Sequence, residues 1–306
     1  MRFETILKLT QEELFKRLLG IYKDKAIYQK GSYVLVKGEA PVMLVAHMDT
    51  VHAEPVKDIC KTSDGNILMS PQGIGGDDRC GIYALMTIYR KSKVKPWLLF
   101  TCDEETGGNG AFQFCDDYSD DLLPKGLHDL KCLIEIDRKG SEDAVYYDCC
   151  NYDFEDYITT KGFKTDYGTF SDICYIAPEL CVAAVNLSSG YYNAHTLHEY
   201  INRGELNATI SKVMEIVAES VSDDFPVYEY EDVYSAWYGY DYNSERSVED
   251  QIMYNSLLTF YTAGEIDQMI ADYGEQAIAL MYESEFGRVI KPYEYYKDNK
   301  DNDQYQ

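Results

Sequence analysis

The sequence predicts an α/β protein: a three-layer architecture with a mixed, mostly parallel sheet, helices on both faces, and a helical appendage at the C-terminal end. Three observations predict it. Several short runs are apolar almost throughout: Tyr33-Val34-Leu35-Val36, Val42 to Ala46, Trp97 to Phe100, Leu133 to Ile136 and Cys181 to Val185. Strands covered on both faces read in this way. Helix-periodic segments precede and separate them. Gln11 to Tyr22 is one, and Arg79 to Arg90 is another, with Ile82, Leu85, Met86 and Tyr89 on one face. A third opens at Gly107-Gly108 and runs through Phe114. Strand–helix alternation of this kind packs helices on both sides of a sheet. Finally, polar clusters follow directly on strands: His47-Met48-Asp49, Asp103-Glu104-Glu105 and Asp137. Functional groups of open α/β sheets collect beyond the carboxyl ends of strands. Glu135, between Ile134 and Ile136, faces the other side of its strand and is set apart from the chemistry.

The chain has 306 residues and a formal net charge of −25. Such a field repels phosphate backbones and anionic lipid surfaces, which excludes nucleic acid and membranes as partners, and it attracts cations. The N-terminal residues lack the basic start and apolar run of a signal peptide, and no apolar stretch reaches the ~20 residues of a membrane span. A cytoplasmic protein is expected. Its nine cysteines are then reduced thiols rather than a disulfide framework.

Composition divides the chain near residue 222. Residues 223–306 carry 19 acids against 5 bases and 14 of the 29 tyrosines. We therefore expect one α/β domain over 1–222 and an acidic, tyrosine-rich tail over 223–306. Tyr228 to Tyr242 reads as an edge strand or a linker. Ser247 to Asp250 is a helix start, and Thr262-Ala263-Gly264-Glu265 is a capping box. Ile266, Met269, Ile270, Tyr273, Ala277 and Leu280 then share a face. Lys291 to Gln306 reads as a frayed end. The tail helices would pack on the core or join a second copy in a homo-oligomer.

The polar clusters are regularly spaced. His47, Asp77, Glu105 and Asp137 are separated by 30, 28 and 32 residues, each gap fitting one strand–helix–strand passage, and His195 follows 58 residues later. Two imidazoles and three carboxylates suit a borderline cation such as zinc. Five donors exceed what one tetrahedral ion with an open position needs. They suit two ions if one carboxylate bridges.

These segments resemble a known family. Ala46-His47-Met48-Asp49-Thr50-Val51 is similar to the His-x-Asp-Thr-Val signature of the co-catalytic zinc exopeptidases. Gly76-Asp77-Asp78-Arg79-Cys80-Gly81 resembles their Gly-x-Asp-Asp-Lys-x-Gly segment, with arginine in the lysine position. Phe100 to Gly107 resembles Phe-Thr-x-Asp-Glu-Glu-x-Gly, Ile134 to Arg138 the next metal-binding strand, and Ala194 to Tyr200 the closing His-Thr-x-x-Glu-Tyr, with Leu197 where proline is common. The resemblance covers roughly residues 30 to 220.

The resemblance implies a zinc aminopeptidase-, tripeptidase- or acetylornithine deacetylase-like hydrolase with two Zn2+ ions, or Co2+ or Mn2+ in their place. His47 and Asp137 would bind one ion and Glu105 and His195 the other, with Asp77 bridging. Asp49 would orient His47 through its second ring nitrogen. Glu104 would be the general base, acting on a hydroxide held between the metals. The helix opening at Gly107-Gly108 would turn backbone amides toward the site. The lid domain of the deacetylase-type relatives has no room in the 58 residues before His195. The compact layout therefore implies an aminopeptidase acting on short peptides, with deacylation of N-acyl amino acids as the second reading and a catalytically silent binding protein as the third. Ser171, Asp172, Tyr191, Tyr192 and His198 are candidate substrate contacts. Each has a bland alternative: capping for Ser171-Asp172, packing for the tyrosines, and solvation for His198, as for His52.

Overall fold

The computed structural model describes residues 1–231 apart from 26, 148, 150 and 169. Between 253 and 286 it describes residues 253, 254, 256, 257, 260, 261, 266, 268–270 and 276–286. The chain forms two compact units, 1–234 and 235–306.

The first unit opens with two helices, α1 (Phe3–Leu7) and α2 (Gln11–Tyr22). Thr10 and Glu13 close a capping box on α2, satisfying two amides that a helix start leaves free. An eight-stranded sheet follows. Its strands are β1 (Ile27–Gln29), β2 (Tyr33–Val36), β3 (Val42–His47), β6 (Trp97–Thr101), β7 (Cys132–Arg138), β8 (Asp143–Val145), β9 (Lys164–Thr165) and β10 (Ala184–Ser188). Their order is β1-β2-β6-β3-β7-β10-β8-β9. The centre, β6-β3-β7-β10, is parallel throughout. Antiparallel pairs at β1-β2, β2-β6 and β10-β8 make the sheet mixed.

The apolar runs behave as their composition demands. Every residue of β2, β3 and β6 is buried. One face packs on α3 (Gly76–Lys91) and α7 (Arg203–Glu219), through Leu44, Ala46, Ile134 and Leu187 against Ile82, Leu85, Ile210 and Val213. The other face meets α4 (Asn109–Ser119) and α6 (Ile173–Leu180). Helix α5 (Tyr152–Thr160) adds Phe154 and Ile158 to the first core, where Phe225 and Tyr228 also pack.

Two expectations change. The passage from His47 to Asp77 holds no helix. It holds β4 (Cys60–Lys61) and β5 (Ile67–Met69), which pair in a second sheet with β11 (Tyr191–Tyr192) and β12 (Tyr200–Asn202), in the order β11-β12-β5-β4. These strands are too short to show a period, and the pairing of β5 with β12 that joins them into one sheet spans more than a hundred residues. The strand expected from Cys181 begins instead at Ala184, because α6 runs to Leu180 and closes on Cys181 at φ 56°. The stretch between Asp137 and His195 carries β8, α5, β9, α6, β10 and β11 within the first unit and holds no inserted domain.

In the second unit, helix α8 spans Gln276–Phe286, and Met253, Leu257, Ile266, Ile278, Met281 and Tyr282 form a small core of their own. The face expected there is corrected. Ile266 and Ala277 are buried as expected, but Met269 and Leu280 are exposed, and on α8 Ile278, Met281 and Tyr282, at i, i+3 and i+4, supply the apolar stripe. Tyr273, the capping box at 262–265, the start at 247–250 and the end at 291–306 lie outside the described residues, as does 232–242 of the tyrosine-rich segment.

Candidate metal centre

The parallel register builds the centre. His47 is the last residue of β3 and lies opposite Thr101, the last of β6. Val45 lies opposite Glu135 on β7, which brings Asp137 level with His47. Two ligand-type side chains are thereby set side by side on adjacent strands, and His47 Nε2 lies 3.6 Å from Asp137 Oδ2.

Asp77 enters from the start of α3, where the chain departs from helical geometry at Asp77 and Asp78. The Asp77–Asp78 peptide bond is cis. Asp77 Oδ1 lies 3.2 Å from His47 Nε2, and its Oδ2 lies 3.1 Å from His195 Nε2. His195 stands on the β11–β12 loop with a left-handed φ of 63°, a conformation that non-glycine residues adopt at some cost. Its Nε2 lies 3.1 Å from Glu105 Oε1. Two groups of three therefore converge, His47–Asp77–Asp137 and Asp77–Glu105–His195, with the ligand atoms of each within 4.8 Å of one another and Asp77 common to both.

The donor set suits divalent cations of the zinc type, which accept imidazole nitrogen and carboxylate oxygen. Glu105 Oε1 is buried and receives no well-directed hydrogen bond, an acceptor placed for something other than a protein donor. Among themselves these groups have strongly displaced titrations. Burial disfavours charge on His47, but Asp137 and Asp49 outweigh it and hold the imidazole well above its ordinary range. Asp77 and Glu105 push His195 up to about 10. Burial disfavours the charge on Asp77, yet the two imidazoles overcome it and hold that carboxyl below its ordinary range. Burial, with Asp77 next to it, drives Asp137 well above.

Glu104 sits beside the pair, its Oε2 3.9 Å from His47 Nε2. Burial raises its carboxyl well above the usual range; His47 opposes, while Asp172, Asp137 and Glu105 reinforce. Asp49 Oδ1 lies 3.2 Å from His47 Nδ1. The same carboxylate accepts the amides of Glu104 at 3.1 Å and Glu105 at 3.0 Å. Asp103 is held at φ 58° by Gln11 of α2, whose amide donates to its carboxylate at 2.8 Å and accepts its N–H at 3.2 Å.

Other candidates fall elsewhere. Ser171 and Asp172 are buried beneath the cluster and do not line its open side. The Ser171 hydroxyl donates to Glu135, and that of Thr101 donates to Asp172. Asp172 opens α6 without capping it; burial lifts its carboxyl to about 6. Tyr191 is buried, and its hydroxyl donates to the Asp137 carbonyl at 3.1 Å. Tyr192 points to Glu205 at 2.7 Å and stacks on Tyr200. His198 is exposed. The amides at Gly107 and Gly108 are taken by the carbonyls of Glu104 and Asp103, so they do not face the site as expected. A tight turn uses them before α4 begins at Asn109.

Two residues were passed over by sequence reasoning. Glu199 is fully buried and accepts the amides of Asp77 at 3.0 Å and Gly75 at 2.8 Å. Asn186 accepts the Asp137 amide at 2.8 Å and donates to the Asp137 carbonyl at 3.2 Å. Glu199 belongs to the Ala194–Tyr200 segment that resembles the family's closing motif; Asn186, in an apolar strand, has its polarity as its only signal.

Comparison with known proteins places the fold. The aminopeptidase PepT of Bacillus cereus superposes with a TM-score of 0.53 at 12% identity, covering 72% of this chain and 97% of that one. A tripeptidase of Staphylococcus aureus gives 0.53 at 14%, covering 71% and 96%. A TET aminopeptidase from a marine sediment archaeon of the Thaumarchaeota gives 0.54 at 11%, covering 70% and 94%. No family model matches the sequence, and no curated protein matches it. The chain thus shares the α/β fold of these two aminopeptidases and this tripeptidase. The particular protein is similar in fold to these aminopeptidases and tripeptidases, at low identity. No helix among the described residues is long and apolar enough to cross a membrane.

Proposed function

We propose that this chain is a metal-dependent hydrolase of peptide bonds, an aminopeptidase acting on short peptides. The observation that carries the reading is the pair of ligand groups sharing Asp77, with Glu104 against them. His47, Asp77 and Asp137 would hold one cation, and Asp77, Glu105 and His195 the other, with Zn2+ the best match to the donors and Co2+ or Mn2+ as substitutes. When bound, two such ions polarise a scissile carbonyl and make water acidic near neutral pH.

The chain's own residues do the rest. Glu104, whose Oε2 stands 3.9 Å from His47 Nε2, takes the proton of the attacking water and returns it to the departing amine. Asp49 fixes the His47 ring and, through two amides, the backbone that carries Glu104 and Glu105. Asn186 and Tyr191 hold the Asp137 backbone. Burial of His47, Asp77 and Asp137 keeps bulk water from competing with these contacts.

The test is a purified sample assayed for metal and for turnover on matched aminoacyl and N-acyl substrates. About two ions per chain and activity on free-amino peptides are expected. Turnover only of N-acyl amino acids would shift the assignment to a deacylase. Metal-replete protein inactive on both panels would point to a binding protein.

A further inference from the structure

Glu199 has no place in the proton transfer or among the ligand groups, yet it is a fully buried carboxylate with both oxygens engaged. Oε1 accepts the amide of Asp77, and Oε2 accepts that of Gly75. Oε2 also lies 2.9 Å from His52 Nε2, and the His52 side chain is itself only 9% exposed. The slot for this imidazole is built. A Cβ at Gly73 would fall 2.2 Å from the ring, at a left-handed φ of 83°. A buried carboxylate is tolerated only where hydrogen bonds replace its water, so three convergent donors define one position for it.

That position joins the loops that supply the ligand groups. Glu199 lies four residues beyond His195 and leads into β12. Its amide partners stand at and just before Asp77, the residue common to both groups. His52 lies in the loop after β3, three residues beyond Asp49. We infer that the Glu199–His52 pair is a positioning device that sets Asp77 between His47 and His195 and so determines how tightly the site holds its cations. This rests on the proposed metal centre. Supports of this kind, one shell removed from a metal, characteristically tune its affinity by about 10- to 100-fold.

The experiment is zinc titration of the full chain against a chelating competitor, with the melting temperature of the metal-free protein measured in parallel. Glu199→Gln should weaken zinc binding by about tenfold or more. His52→Ala should weaken it by about threefold or more, and His52→Gln, which keeps a donor near the Nε2 position, should restore it. Combining Glu199→Gln with His52→Ala should add little, because one unit is being removed twice. Asn66→Ala is the control. Asn66 joins β5 to β12 through Asn202 at 2.9 Å and does not touch Glu199; its loss should lower the metal-free melting temperature without changing zinc affinity. If zinc affinity instead tracks melting temperature across all variants, or is unchanged in folded Glu199→Gln, the positioning role is overturned. Should Glu199→Gln fail to fold, the His52→Ala and His52→Gln pair decides in the same way. Wild-type protein that binds no zinc overturns the metal centre itself, a separable result.

Discussion

Asp49 Oδ1 stands 3.2 Å from Nδ1 of His47, and this contact orients the histidine whose other nitrogen faces Asp77 and Asp137. The same carboxylate caps the amides of Glu104 and Glu105. Asp49→Ala should therefore do two things at once. Cation affinity should fall by about 10- to 100-fold, and the two part-buried amides left without an acceptor should destabilise the chain by about 1–3 kcal/mol each at most. Zinc titration and denaturant unfolding check the two effects separately.

Glu104→Gln keeps the size of the side chain and removes its ability to carry a proton. Turnover of short peptides should drop by about 10²- to 10⁴-fold, with cation content unchanged, because Glu104 belongs to neither ligand group. Metal analysis beside steady-state kinetics gives the answer. Retained turnover would remove Glu104 from the role of base.

Cation binding should strengthen with pH. Asp77 and Glu105 hold His195 up to about 10, and Asp137 and Asp49, prevailing over burial, hold His47 above its ordinary range. A cation must displace these protons, so acidification competes with it. Apparent zinc affinity measured at pH 6 and pH 8 should differ by about tenfold per unit for each proton released. Stability of the metal-free chain runs the other way. The folded pKa of His195 lies above its unfolded value of 6.5; its contribution is fully present below about 6.5 and is lost as pH rises toward about 10. Metal-free melting temperatures should fall across that window.

Gly81→Ala tests the floor of the site. A Cβ there would stand 2.3 Å from Asp78 Oδ2 and 2.4 Å from the Ile136 carbonyl. The carbonyl belongs to a central strand and cannot withdraw. Overpacking of this type costs about 1–3 kcal/mol, and it should also disturb Asp78, whose Oδ1 accepts the Gly81 amide at 2.8 Å. Thermal unfolding and zinc affinity should both decline.

Much of the fold was legible because buried parallel strands leave continuous apolar runs, and β2, β3, β6 and β7 lie where those runs lie. The ligand-type residues were legible for a related reason: strand ends deliver them, so position along the chain maps onto position at the sheet edge. The second sheet was not legible. Its strands are two or three residues long, and β5 finds its partner β12 only after the chain has laid down β6 to β10 of the first sheet.

The substrate candidates divide in the same way. Ser171 and Asp172 carry polar side chains, and a sequence does not say whether such groups face solvent or a buried carboxylate. Tertiary packing decided it, pairing Ser171 with Glu135 and Thr101 with Asp172 beneath the cluster. The sequence by itself determined the layered α/β class and which imidazoles and carboxylates could converge, since local periodicity and strand ends are written in neighbouring residues. Only the tertiary structure decided that Glu199 grips the Asp77 backbone, because that contact joins loops separated by more than a hundred residues and arises from packing rather than from local preference.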